Sequence, residues 1–250
     1  LLNSQMDVLQ RVRIRGNRCM VHRFSATDAR LLAAGDKLYA SYANMWGDAE
    51  CRGHFLARLR VRPNASHLGE FLSPRRLHSI RNGGVLVQRD DVALELADVA
   101  PMTEVADVVT GAVTRVAAPR RFSVFMHNSM HPIWMPELSA FLGAGHRHLR
   151  QGYHDNGSVV RNAPFQYGSS YRHVFFTLNA TTRSIVRFSR EFCIAALDGT
   201  DGCDGISFIM GAFRKHDAVS FPYGINDCES ALSTLSVSRL HALLEFGLGR

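Results

Sequence analysis

The sequence predicts an all-β protein, and three observations lead to that class. Short runs in which apolar and polar residues alternate recur along the chain, as in Phe55-Leu-Ala-Arg-Leu-Arg-Val61. Turn-forming residues such as Gly35-Asp36 separate these runs, and no long helical pattern lies between them. With 46% hydrophobic residues in 250, the chain can bury a full core, so we predict a single domain over residues 1–250.

The individual elements follow from the same alternation. A loop carrying an acid and a base is predicted at residues 26–32, residues 101–120 are ambiguous between strand and short helix, and residues 150–170 form the longest loop. The apolar spacing of Leu240, Leu243 and Leu244 indicates a C-terminal helix. Strands are predicted at residues 12–15, 19–24, 37–42, 54–62, 85–88, 92–96, 121–126, 171–178, 184–188, 206–213 and 218–223.

The distribution of charged and apolar residues argues against a nucleic-acid partner and against a membrane span. A net charge of +7, from 29 basic and 22 acidic residues, would suit nucleic acid or an acidic glycan. The arginines are scattered, however, and form only short clusters such as Arg75-Arg76 and Arg120-Arg121. We therefore predict no nucleic-acid partner. No apolar run approaches the ~20 residues needed to cross a bilayer, so no membrane span is expected in this segment.

Cysteines and glycosylation sequons leave the compartment open between the cytoplasm and the lumen of the secretory pathway. The five cysteines are widely spaced and lack a Cys-x-x-Cys pair, although one disulfide bond such as Cys193–Cys203 is conceivable. The N-terminal residues lack the pattern of a signal peptide. Three sequons, at Asn64, Asn156 and Asn179, would be used only in the secretory pathway. The sequence does not determine the oligomeric state.

Three separated motifs carry a family resemblance. They are Asp28-Ala-Arg30 with the Gly-Asp turn after it, Arg81-Asn82-Gly83-Gly84-Val85-Leu86, and Tyr223-Gly224-Ile-Asn-Asp227. In this order they resemble motifs of the β-mannoside phosphorylases and the related β-mannosyltransferases. The resemblance implies a five-bladed β-propeller, in which loops converge on one mouth of a central channel. Because only 27 residues precede Asp28, it also implies an incomplete first blade.

The resemblance also implies a chemistry. Breaking or making a glycosidic bond requires proton transfer at the bridging oxygen and stabilisation of an oxocarbenium-like state. In the resembled enzymes a single Asp performs the proton transfer with inversion, and its position here is Asp28. Arg81 and Asn82 match residues that face the substrate and the attacking anion, while Asp227 and Asn44 match groups that bind sugar hydroxyls. No cofactor is implied.

The anion site departs from the family pattern. Nothing basic lies at Val99-Ala100, where a second phosphate-binding Arg is expected, and His127-Asn128 occupies the region of a phosphate-binding Lys. His127 and His146 would complete an anion site only when protonated. We therefore favour a glycosyltransferase acting on an oligosaccharide or sugar-phosphate substrate. Phosphorolysis and hydrolysis remain alternatives.

Two further classes compete with this interpretation. His146 and His148 lie two residues apart on a strand, with His154 and Asp155 nearby, which is a pattern found in metal sites. The third ligand of a cupin-type site, a carboxylate at the usual spacing, is absent, so we predict no metal. A noncatalytic sugar-binding propeller would instead use aromatic side chains, with Trp46, Trp134 and Tyr171 as its candidates.

Overall fold

The computed structural model describes residues 13–15, 27–45, 48–61, 68–79, 81–119, 125–150, 169–194, 206–225 and 229–244. These residues form mainly antiparallel sheets and one short α-helix. The chain divides into two compact units. Unit 1 comprises Leu1–Arg81 with Arg89–Asp91, and unit 2 comprises Asn82–Gln88 with Val92–Arg250.

Unit 1 contains one five-stranded sheet in the order β1-β5-β4-β3-β2. Neighbouring strands are antiparallel, except that β1 runs parallel to β5. The predicted alternation holds only in the second half of β4, where Leu59 is buried while Arg58 and Arg60 are exposed, because residues 53–57, including Leu56, are all buried. Tyr42 stacks between Phe55 and Phe71 at ring distances of 5.6 and 5.1 Å. The strands are β1 (Arg13–Arg15), β2 (Thr27–Ala34), β3 (Lys37–Asn44), β4 (Gly53–Val61) and β5 (Leu68–Arg76).

The predicted loop at residues 26–32 is wrong in its main part. The described residues from Thr27 onward belong to β2, which pairs with β3 as far as the Gly35-Asp36 turn. The pairing of Leu31 and Leu32 with β3 extends the hairpin backwards, and a bulge between Thr27 and Arg30 absorbs the irregular Asp28-Ala29 segment. Asp28 therefore lies within a strand.

Unit 2 contains three further sheets. The first has the order β6-β7-β8-β9, the second β10-β12-β13-β14 with β11 beside β12, and the third β15-β17-β16 with β18 beside β17. The elements are β6 (Gly84–Gln88), β7 (Asp91–Asp98), β8 (Met102–Asp107), β9 (Val113–Ala117), β10 (His127–Asn128), β11 (Ile133–Met135), β12 (Ala140–Arg150), β13 (Ser169–Leu178), β14 (Ile185–Phe188), β15 (Ser207–Ile209), β16 (Phe213–Lys215), β17 (Ala218–Ile225), β18 (Glu229–Ser236) and the helix α1 (Val237–Leu244).

The core of unit 2 lies on both faces of its second sheet. Phe176 on β13 packs with Leu86 and Leu96 of the first sheet, whereas its neighbour Phe175 packs with Phe221 of the third sheet. Successive strand residues point to opposite faces, so a continuously apolar strand is expected where both faces are covered. Leu240 and Leu244 of α1 join the second of these clusters, which confirms the predicted C-terminal helix.

The prediction of an all-β, propeller-like fold is confirmed, because the described residues form four sheets of four or five strands. The ambiguous residues 101–120 form β8 and β9, and the strand predicted at 206–213 is divided into β15 and β16. The strand predicted at 19–24, most of that at 121–126 and the loop at 150–170 lie outside the described residues.

Two further expectations meet the structure in part. Among the residues whose structure is described, no helix is long and apolar enough to cross a bilayer. Cys51 and Cys193 are each disulfide-bonded. Cys203, the predicted partner of Cys193, lies outside the described residues, so that pairing stays a prediction.

Candidate functional site

Asp28 adopts an unusual backbone conformation for a residue in a strand. Its φ is +52°, in the left-handed region, and it lies at the bulge in β2. Asp tolerates this region better than most residues, but the conformation is still uncommon outside glycine. Such residues cluster at functional sites, as do bulges that redirect a side chain. The bulge therefore marks Asp28 as a candidate on structural grounds alone.

Arg81 binds the Asp28 carboxylate. Its Nε donates a hydrogen bond to Oδ2 of Asp28 across 2.7 Å, within unit 1. The Arg81 side chain is 53% exposed and that of Asp28 is 27% exposed. The structure thus brings together two of the predicted site residues, which lie 53 positions apart in the chain.

A second arginine lies on β2, the strand of Asp28, and it is buried where Arg81 is exposed. Arg30 is buried, and burial lowers its pKa to about 10; the Asp28 carboxylate opposes that shift and the charge of Arg81 adds to it. At neutral pH Arg30 is therefore still a cation. Because it is buried, it supports Asp28 from within the unit, whereas the half-exposed Arg81 is accessible to a substrate.

Other polar residues gather at the same end of this sheet. Asn44, predicted to bind substrate, is the last residue of β3 and is buried. Its neighbour Ala43 pairs with both Thr27 and His54, which places the three strand ends side by side. His54 is buried as well, and its Nδ1 lies 2.9 Å from Oγ of Ser79, shortly before Arg81.

In unit 2, Asn82 lies in a loop that is hydrogen-bonded to the buried side-chain amide of Asn128. Asn82 has a φ of +62°, and its carbonyl accepts a hydrogen bond from Nδ2 of Asn128 across 3.2 Å. The same Nδ2 donates to the carbonyl of Met130 across 2.7 Å. Gly84 lies against this contact, since a Cβ there would come within 2.5 Å of both groups. The close approach of the two backbones requires glycine at this position.

The histidines predicted to bind an anion lie in an aromatic cluster of unit 2. His127 pairs with His146 across β10 and β12, with 5.7 Å between the ring centroids. His146 is buried, and its Nδ1 lies 2.9 Å from Oγ of Ser129. Its ring also packs against Tyr171 and Phe208. Burial leaves little of His146 for contact with a ligand, whereas His127 is partly exposed.

Only part of each competing site lies within the described residues. Among them, no group of three or more His, Cys, Asp or Glu side chains is arranged to hold a metal ion. His154, Asp155, Trp46 and the predicted sugar-binding Asp227 lie outside the described residues. Trp134 is 45% exposed on β11 and packs edge-on against Phe141.

A cavity of about 550 Å³ lies elsewhere in unit 2. Its walls come mainly from Phe175, Phe192, Ile209, Phe221 and Tyr223, with Arg239 among the polar members. Asn82, His127 and His146 do not line it.

No role in the site was predicted from the sequence for three residues near the candidate site residues, namely Arg30, His54 and Asn128. Arg30 belongs to the Asp28 motif, but arginine is seldom buried, so its burial was unexpected. His54 contacts Ser79, 25 positions away in the chain, and Asn128 contacts Asn82, 46 positions away. No local sequence pattern encodes such contacts.

Comparisons with known proteins find solved structures with a similar fold. No protein-family model matches the chain, and no curated protein sequence matches it significantly. A β-1,2-mannobiose phosphorylase of Listeria innocua, solved with β-1,2-mannobiose, superposes with a TM-score of 0.59 at 15% identity over 88% of this chain. Two Bacteroides ovatus structures, described as glycoside hydrolases, give TM-scores of 0.51 and 0.52 at 13% and 14% identity over 84% and 86% of this chain.

At this level of identity the likeness establishes the fold alone. The chain spans 61% of the length of the Listeria phosphorylase, and 68% and 66% of the two Bacteroides proteins.

Proposed function

We propose that this chain is an inverting carbohydrate-active enzyme that transfers or phosphorolyses β-linked mannosyl units, with Asp28 as its single acid or base. The observation that carries the proposal is the left-handed Asp28 at a bulge, in contact with the accessible Arg81. The superposition with a β-1,2-mannobiose phosphorylase supports the substrate class. The five-bladed propeller and the single domain are part of the same proposal.

Asp28 supplies the proton transfer that either direction of the reaction needs. In transfer, its carboxylate takes the proton of an acceptor hydroxyl while that oxygen forms a bond to the sugar C1, and the leaving group of the activated donor departs with the electron pair of the broken bond. In phosphorolysis, Asp28 gives its proton to the bridging oxygen of the glycoside while free phosphate forms the bond to C1. The contact with Arg81 keeps the carboxylate oriented until a substrate replaces one of its hydrogen bonds.

The arrangement of cations favours transfer over phosphorolysis. A phosphate dianion normally requires several charge-assisted donors, each contributing about 1.5–3 kcal/mol. Of the two guanidinium groups around Asp28, Arg81 is accessible and Arg30 is buried. Burial of His146 removes another expected donor from the surface of unit 2. We therefore expect weak dependence on free phosphate.

A product analysis decides between the three reactions. The protein is incubated with mannose 1-phosphate or with a nucleotide-activated mannose, each with and without a mannose acceptor, and Asp28→Asn is run in parallel. Acceptor-dependent oligosaccharides from the nucleotide sugar support the transferase. Acceptor-dependent release of phosphate from mannose 1-phosphate together with an oligosaccharide, without products from the nucleotide sugar, indicates a phosphorylase. Free mannose alone indicates a hydrolase.

A result in which a mannoside binds but no product forms would contradict the enzyme proposal. It would favour the sugar-binding alternative.

A further inference from the structure

The hairpin between β13 and β14 presents an asparagine in a defined geometry. Its turn contains the sequon Asn179-Ala180-Thr181. Backbone hydrogen bonds close the turn, from Asn179 N to the Ser184 carbonyl and from Arg183 N to the Asn179 carbonyl, each 2.9 Å. Arg183 also donates from Nη1 to Oγ1 of Thr114 across 2.8 Å, which fixes the hairpin to β9 within unit 2.

The Asn179 side chain is oriented by its oxygen. Oδ1 accepts hydrogen bonds from the backbone N–H groups of Thr181 and Thr182 at 2.8 and 2.9 Å. With Oδ1 turned toward the backbone, Nδ2 forms the other end of the side chain. Asn179 is partly exposed, and Thr181 and Thr182 are exposed.

A second, independent observation concerns the redox environment. Cys51 in unit 1 and Cys193 in unit 2 are each disulfide-bonded. Disulfide bonds form and persist in oxidising compartments, among them the lumen of the secretory pathway. Asparagine-linked glycosylation at Asn-x-Ser/Thr takes place in the same lumen. The disulfide bonding of Cys51 and Cys193 and the exposed sequon are therefore consistent with one environment.

We propose that Asn179 is a site of asparagine-linked glycosylation. A bond forms between Nδ2 and C1 of the first sugar, and the bond between C1 and the pyrophosphate oxygen of a lipid-linked oligosaccharide breaks. The lipid pyrophosphate leaves with that electron pair, and the displaced Nδ2 proton passes to a base of the transferring enzyme. The folded turn accommodates the glycan, because the turn residues after Asn179 face solvent. This inference does not depend on the proposed enzymatic function.

Matched variants separate the modification from the turn that carries it. Asn179→Asp keeps an oxygen that can accept both backbone hydrogen bonds but removes the nitrogen that is modified. Thr181→Ala keeps the backbone N–H bonded to Oδ1 but removes the hydroxyl that the sequon requires. Thr181→Ser restores that hydroxyl.

The test expresses the full 250-residue chain behind a cleavable secretion leader in a eukaryotic cell. Leader-cleaved protein, secreted or retained, is treated with a peptide N-glycosidase in heavy-oxygen water. This enzyme removes the glycan and converts the glycan-bearing Asn to Asp with an oxygen from the water. The peptide containing residue 179 is then analysed by mass spectrometry. We expect conversion of Asn179 to heavy-oxygen-labelled aspartate in the wild type and in Thr181→Ser, and none in Thr181→Ala or Asn179→Asp.

We also expect the glycosylated wild type and Asn179→Asp to show the same melting temperature within a few degrees, since the glycan projects from a solvated turn. An unmodified Asn179 in all leader-cleaved wild-type protein would overturn the proposal. So would glycosylation that appears only in misfolded, aggregated chains.

Discussion

Nε of Arg81 lies 2.7 Å from Oδ2 of Asp28. Arg81 follows β5, the last strand of the sheet in unit 1. The pair is partly exposed, so solvent weakens the attraction and the contact can exchange for one with a substrate. A charged, planar donor beside a strained acid suits a site where a sugar hydroxyl or an anion replaces one partner. This relationship gives the first prediction.

Arg81→Gln should lower kcat/KM by about 10-fold to 10²-fold on mannosyl substrates, because it removes one charge-assisted hydrogen bond of about 1.5–3 kcal/mol. Arg81→Lys keeps the charge without the planar fork and should fall between Gln and the wild type. Steady-state kinetics provide the measurement. Arg58→Gln, at an exposed position of β4, serves as the control and should match the wild type. Equal kinetics for Arg81→Gln and wild type would exclude a role for this guanidinium.

Stability should fall in acid because of one buried histidine. Burial lowers the pKa of His173 to about 4 from its ordinary 6.5. The unfolded state therefore binds a proton at a higher pH than the folded state, so stability is lost as the pH falls from about 6.5 to 4. The loss from this group amounts to about 3 kcal/mol. His173→Phe should show a shallower decline in urea-unfolding experiments over the same range; equal slopes for the two proteins would contradict the assignment.

Gly84→Ala should destabilise unit 2 by about 1–3 kcal/mol, because the added methyl group would meet the Asn128 amide and the Met130 carbonyl. The neighbouring groups are backbone or fully buried and have little freedom to move. Thermal unfolding measures the change. Gly211→Ala is the matched control, since the nearest atom to its Cβ is 3.8 Å away. A melting temperature for Gly84→Ala equal to that of the control would refute the close-packing argument.

Removal of metal ions should leave activity unchanged. Proton transfer by Asp28 needs no Lewis acid, and the alternative metal site was inferred from the pair His146 and His148. The assay is repeated after dialysis against a chelator, with and without added zinc or manganese. Loss of activity that zinc or manganese restores would favour the metal-site alternative.

The sequence was most informative where local patterns decide structure. Alternation in β4 predicted both the strand and its exposed arginines, because a strand with one wet face repeats every second residue. The motif resemblance anticipated Asp28 and Arg81 in one site. The bulge at Asp28 was not predictable, since it arises from the register that the β2–β3 hairpin imposes. Likewise, buried Arg30 and Asn128 depend on contacts made only in the folded chain.

The most direct test of Asp28 as the catalytic acid or base is the turnover of Asp28→Asn on the glycosyl donor that the wild type uses. The amide keeps the size of the side chain and one oxygen for Arg81, but it cannot exchange the proton. We predict an unchanged fold by circular dichroism, retained sugar binding, and a fall in kcat on the order of 10²-fold or more. Full activity of Asp28→Asn on every glycosyl donor accepted by the wild type would contradict the account.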